Sequence, residues 1–277
     1  MLTIAGHRTR AGSGLGAMLR DVDYVLQKLD WMRGEGIWPN GLRYLWTDAF
    51  GVVLYVSLYA ETGEERWLGE AERLVADVER VLGRRRGLRI GEAADRDGQY
   101  FHYLAMWLFA LARLGDLKPE YRKRGITLAR DIHPAFVVPG RGVIWKMQED
   151  LSGPYPGYGL GSMDAYDGYV SYRMLDDEQL APEIAQMRDL MERDWRSLDI
   201  DQDLGLGMML WPISFPTSRG PRPRRGVRCE PWKRCGSTRP VISAARHGCA
   251  IPSSPSPITA FRSACRPPVS GRGVSIG

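Results

Sequence analysis

An all-α protein built of helical hairpins is the fold that this sequence predicts, and three observations carry it. Helices that are apolar on every side alternate with helices that are apolar on one side only, from about residue 18 to residue 211. The pair recurs roughly every 50 to 65 residues, too long for tetratricopeptide or ankyrin repeats of about 34 and 33 residues. Periodicity along the same region is a regular alternation of two helix types, an all-α pattern.

Taken in order, the first amphipathic helix spans Met18 to Arg33. Asp48 to Tyr59 (Asp-Ala-Phe-Gly-Val-Val-Leu-Tyr-Val-Ser-Leu-Tyr) is apolar all round and must be buried, and Gly63 ends it. Glu64 to Leu82 puts Trp67, Leu68, Ala71, Leu74, Val75, Val78 and Leu82 on one stripe, so this helix is half exposed. Gln99 to Leu114 repeats the inner type and Pro119 to His133 the outer one, with Pro119 suited to a first helical position. Asp164 to Leu175 and Pro182 to Leu198 form a third pair, and Leu204 to Trp211 begins a fourth inner helix.

The charge balance divides the chain differently. Residues 216–277 hold 12 of the 38 Lys and Arg with Glu230 as their one acid, a net +11 against −6 for residues 1–215. Arg, Pro, Ser, Gly, Ala and Cys fill 46 of those 62 positions, and all four cysteines (Cys229, Cys235, Cys249, Cys265) lie there. Such a composition cannot bury a core. The domain reading is therefore an N-terminal arm (1–17), a partial helical-hairpin domain (18–215) and a disordered basic tail (216–277). Shifted codons of a GC-rich gene would have the tail's composition. The tail begins where Pro212, Pro216 and the basic run interrupt the apolar helix of Leu204 to Trp211, so a frameshift product is the expectation. Trp232 and Phe261 are its only aromatics, which argues against a nucleic-acid arm, and it has no C-x-x-C for zinc.

The apolar run near Ala49 to Ala60 falls short of the roughly 20 residues that cross a bilayer. Met1 to Ala17 lacks a signal-peptide core, so a cytoplasmic protein without membrane contact is expected. Gly12-Ser-Gly-Leu-Gly-Ala17 fits a dinucleotide fingerprint, but no strand precedes it. Asp95-Arg-Asp-Gly98 echoes a calcium loop, yet Met106 stands where the twelfth-position carboxylate belongs. No cofactor and no metal are expected.

Turns within hairpins are short, whereas the connections Gly83 to Asp97 and Phe136 to Met163 are long, and long loops in compact domains tend to carry function. These loops and the adjoining helix starts are rich in aromatic and carboxylate residues. Aromatic faces suit the C–H surface of a sugar ring, and carboxyl groups can act as acid and base in glycosidic cleavage. The candidate catalytic residues are Glu149, Asp150, Asp167 and His102. Trp46, Asp48, Asp97, Tyr100, Trp145, Tyr155, Tyr158 and Asp164 are the candidate substrate-binding residues. Asp48, Asp97 and Asp164 recur at three inner-helix entrances, where a carboxylate also caps free N–H groups. His102 could equally be a satisfied core histidine, and Glu149 and Asp150 a solvated loop pair.

The concentric alternation of buried and half-exposed helices with aromatic-acidic loops resembles the six-hairpin glycosidase-like superfamily, the (α/α)6 toroids, at superfamily level only. The resemblance covers about residues 18 to 211, some half of such a ring, without a diagnostic catalytic motif. It implies a carbohydrate-active protein, glycoside hydrolase-like and truncated in this chain, with a carbohydrate as partner. The sugar epimerases of that superfamily use paired histidines, whereas this chain's candidates are His7, His102 and His133. Toroids that are protein prenyltransferases or lanthionine cyclases depend on zinc held by Cys and His, and residues 1–215 have no Cys. A non-catalytic helical-repeat module that binds a protein or peptide is the alternative. Half a ring would expose its inner helices and favour self-association through them.

Overall fold

The computed structural model describes residues 21–39, 41–194 and 203–215. The N-terminal arm with His7 and the Gly12 to Ala17 motif, residues 195–198 of the third outer helix, and the basic tail with its cysteines lie outside the described residues. Among the described residues are eight helices: α1 (Val22–Gly34), α2 (Leu45–Thr62), α3 (Glu65–Leu82), α4 (Phe101–Gly115), α5 (Pro119–Phe136), α6 (Asp164–Leu175), α7 (Ala181–Asp194) and α8 (Asp203–Ile213).

The inner helices α2, α4 and α6 lie side by side, and α3, α5 and α7 back them in turn, the arrangement of a partial α/α toroid. Sequence dictates this layering. The seven apolar residues of the α3 stripe are the seven that it buries. Helix α4 is apolar all round because it packs against α2, α5 and α6, and it buries every residue from Leu104 to Gly115. Arg122, itself buried, closes the far end of this core. Its guanidinium donates to the carbonyls of Met174 (2.6 Å) and Leu175 (2.5 Å) at the end of α6 and of Ala112 (3.3 Å) near the end of α4. Carbonyls at helix C-termini lack intrahelical donors, and one buried cation here serves two helices.

Aromatic rings of α8 and of Phe215 just after it pack on the inner helices. Trp211 lies 4.6 Å from Phe50 and 5.1 Å from Phe109, centroid to centroid, and Phe215 lies 5.5 Å from Phe109. Among the described residues no large apolar side chain of α2, α4 or α6 is exposed. Exposed large apolar side chains among the described residues include Trp31 and Ile37 near α1, Leu42 before α2, and Leu204, Leu206 and Leu210 on α8. No helix among the described residues is long and apolar enough to cross a membrane.

The helix starts shift in one informative place. Helix α2 begins at Leu45, one turn before Asp48, because the Asp48 carboxylate reaches back to the N–H of Tyr44 (3.2 Å) while the Leu45 N–H donates to the carbonyl of Ile90. The long connections also contain short strands that the sequence pattern did not predict: β1 (Gln99–Tyr100), β2 (Val137–Val138), β3 (Gly142–Ile144), β4 (Lys146–Met147) and β5 (Leu160–Gly161). β1 pairs antiparallel with β4, Gln99 opposite Met147, and β3 lies between β2 and β5. Elements of two or three residues are too short to show periodicity.

Candidate functional site

His102, one residue into α4, and Asp167, one turn into α6, meet where these two helices begin. The His102 Nδ1 stands 2.6 Å from Asp167 Oδ2. His102 retains 21% side-chain exposure whereas Asp167 is buried. Burial works against an imidazolium, but the hydrogen bond and charge of Asp167 outweigh it and raise the His102 pKa. Asp164 is buried beside the pair, and burial together with the Asp167 charge pushes its carboxyl up to about 8. It is therefore protonated at neutral pH. Gly161 makes room for it, since a Cβ there would stand 1.6 Å from Asp164 Oδ2.

Aromatic rings extend outward from this unit. Trp46 lies over the His102 ring at 4.7 Å and beside Tyr103 at 4.9 Å. The Tyr103 and Tyr44 hydroxyls are hydrogen-bonded at 2.7 Å. Tyr103 meets Tyr100 edge-on at 5.1 Å, and Tyr100 is stacked on Trp145 at 5.6 Å with 16° between planes. Tyr158 closes the group against Trp145 at 5.4 Å.

A second cluster lies in the long loops. Asp97 accepts from the Tyr155 hydroxyl (2.5 Å) and from Lys146 Nζ (3.3 Å), which hold its pKa down. Lys146 Nζ also sits 3.6 Å over the Tyr155 ring. Glu149 is gripped from both sides, with Arg84 Nε at 2.9 Å and Arg89 Nε at 2.7 Å. Asp150 is exposed and accepts from the Ser152 N–H at 2.9 Å. Gln99 ties the two loops together, its Nε2 donating to the carbonyls of Arg86 (2.9 Å) and Glu149 (2.6 Å). Asp97, Gly98, Gln148, Glu149, Asp150, Tyr155 and Pro156 line a cleft of about 460 Å³ here.

The candidate residues thus fall into two groups joined by aromatic rings. His102, Asp167, Asp164 and Trp46 form one. Asp97, Glu149, Asp150, Tyr155, Tyr158, Tyr100 and Trp145 form the other. Asp48 stands apart, buried, with Trp38 Nε1 at 2.9 Å, Tyr44 N at 3.2 Å and Arg43 Nη1 at 3.6 Å on its two oxygens. The three aspartates at equivalent entrances have three uses: Asp48 serves the helix start, Asp97 the loop cluster and Asp164 the histidine unit. His133 is a core group, between the Tyr172 hydroxyl and Gln186, with its pKa lowered by burial. Tyr103, Tyr44, Gln99 and Gly161 were not singled out from sequence. The Tyr100-x-x-Tyr103 pair at the entrance of an inner helix was the signal for Tyr103. No group of three or more His, Cys, Asp or Glu placed to hold a metal occurs among the described residues.

No protein-family model matches the sequence, and no curated protein matches it. Solved structures that are similar include cellobiose 2-epimerase from Bacillus thermoamylovorans (TM-score 0.47, 13% identity, 54% of this chain and 44% of that one). A glycosyl hydrolase family 88 protein from Bacteroides vulgatus is also similar (TM-score 0.47, 12% identity, 63% and 56%), as is a polysaccharide lyase (TM-score 0.45, 15% identity, 63% and 55%). The likeness is one of fold. The chain spans about half the length of the solved structures it matches.

Proposed function

We propose that this chain is a carbohydrate-active protein of glycoside hydrolase-like type, in which His102 transfers a proton to a sugar oxygen. The observation that carries the reading is the 2.6 Å bond from His102 Nδ1 to a buried Asp167. It commits Nδ1 to the protein and leaves Nε2 as the nitrogen for substrate. A raised pKa keeps the imidazolium populated near neutral pH, the condition for a general acid that protonates a leaving oxygen. Neutral Asp164 adds no second negative charge to the buried pair. The rings of Trp46 and Tyr103 supply the apolar face on which a pyranose lies.

Glu149 serves the loops in this reading, because its two arginine partners occupy both of its oxygens. The test is hydrolysis of a panel of nitrophenyl glycosides by the full chain and by His102→Ala. Loss of about 10²- to 10⁴-fold in rate is expected on removing the acid, with the wild-type rate falling as pH rises through the His102 pKa. No turnover of any glycoside, or turnover indifferent to His102→Ala, overturns the reading.

A further inference from the structure

We infer that α8 is a strap docked across the inner helices by Tyr166 and Trp211, and that it shuts bulk water out from the second oxygen of Asp167. Tyr166 and Trp211 are then positioning residues for His102. The inference rests on the proposed function only in taking His102 as the proton donor.

The free oxygen of Asp167 marks the place. Its Oδ2 meets His102, whereas Oδ1 is buried and has no hydrogen-bond partner among the described residues. Beside Asp167, between α4 and α6, lies a gap of about 10 Å³, the space of one water. Asp167 and Ser171 are its polar lining, and Pro212 of α8 is its one lining residue from outside those two helices. Bulk water admitted here would solvate the carboxylate and weaken its hold on the imidazole. What closes the gap therefore sets the strength of the pair.

Helix α8 stays in place through its contacts more than through its own backbone. Its 11 residues fall below the roughly 12 to 15 that make an isolated helix even marginal. Gly205 and Gly207 weaken it further, and Pro212 removes one of its backbone hydrogen bonds. Met208 and Pro212 are buried while Leu204, Leu206 and Leu210 are exposed, so a single seam faces the inner helices. Two fastenings hold that seam. The hydroxyl of Tyr166, the residue before Asp167, donates to the Met209 carbonyl at 2.7 Å. The Trp211 ring packs on Phe50 of α2 and Phe109 of α4. An element held in this way opens locally while the rest of the fold persists.

Opening has a defined consequence for His102. The titratable groups around its ring are Asp167 and the protonated Asp164 on α6 and Tyr103 on α4, while α2 presents the uncharged Trp46. Asp167 raises the pKa against the effect of burial, and solvation weakens both influences. The pKa then falls toward the ordinary value of about 6.5.

The test combines hydrogen exchange over residues 203–213 with a proton NMR titration of His102, both on the full chain without substrate. Tyr166→Phe is expected to speed α8 exchange about two- to tenfold, the effect of one hydrogen bond. Gly207→Ala, whose added methyl meets no atom within 4 Å, is expected to slow it about fivefold through helix propensity. Tyr166→Phe combined with Trp211→Ala is expected to abolish α8 protection and lower the His102 pKa, with protection in α2 to α6 retained. An unchanged His102 pKa once α8 is unprotected overturns the inference. So does α8 exchange indifferent to both single substitutions, or loss of protection in all helices together. Neither measurement needs a sugar, so absence of glycoside turnover removes the proposed function and leaves the strap standing.

Discussion

His102 and Asp167 are 65 positions apart in the chain and 2.6 Å apart in space, and the contact exists because α4 and α6 are neighbouring inner helices that both start at the loop end. A partly exposed imidazole bound to a buried carboxylate makes each group depend on the other. Asp167→Asn removes the charge that holds the His102 pKa up, so burial then dominates and the pKa falls. A raised pKa contributes stability that is complete below the unfolded value of about 6.5 and is lost as pH rises through the folded value. The substitution is therefore expected to cost about 1.5 to 3 kcal/mol at pH 5.5 and less at pH 9. Urea denaturation at the two pH values and a proton NMR titration of His102 measure both effects. An unchanged His102 pKa contradicts the pairing.

Asp164 behaves in the same direction for a different reason. Its carboxyl has a pKa of about 8 in the folded protein because burial and the Asp167 charge penalise ionisation. The native state consequently keeps a proton that the unfolded chain releases near pH 4, and stability falls as pH rises from about 4 to about 8. Asparagine mimics the neutral acid. Asp164→Asn is expected to match the wild type near pH 3 and to exceed its stability by an amount that grows as pH rises from about 4 to about 8. Equal destabilisation at both ends of this range in chemical denaturation would show that Asp164 works as a carboxylate.

The same carboxyl explains a glycine. A Cβ on Gly161 would stand 1.6 Å from Asp164 Oδ2 and 2.5 Å from its Cγ, so the side chain must move. Gly161→Ala is expected to cost about 1 to 3 kcal/mol by overpacking. In an Asp164→Ala background the obstruction is gone and most of that cost is expected to vanish, a coupling of about 0.5 to 3 kcal/mol. Denaturation of the four proteins of the cycle measures it, and additive effects would remove the steric account.

The layers were legible from sequence and the contacts between them were not. Helix α6 occupies Asp164 to Leu175 as the apolar pattern predicts, and α3 buries the stripe that its period marks, because burial on one or all sides leaves a local signature. His102 and Asp167 could each be read as polar residues in apolar helices. Their pairing depends on which helices are neighbours, and no local pattern records that. Glu149 looked like a free loop carboxylate for the same reason, since Arg84 and Arg89 lie 65 and 60 positions earlier. The short strands escaped notice because β1 and β4 have two residues each.

Gln99 gives a means of separating the two clusters. It is fully buried, and its amide holds the loop after α3 through the Arg86 carbonyl and the loop after β4 through the Glu149 carbonyl. Leucine keeps its bulk and removes both donors, leaving two carbonyls without their partner, a cost of about 1 to 3 kcal/mol for a buried acceptor. The loss falls on the loops that carry the Arg84 and Arg89 pairs with Glu149, while α4 and α6 keep their own packing. Gln99→Leu is therefore expected to speed proteolysis within 84–89 and 148–153 and to leave the His102 titration where it was. Were the His102 pKa to move together with loop cleavage, the two clusters would be one cooperative unit.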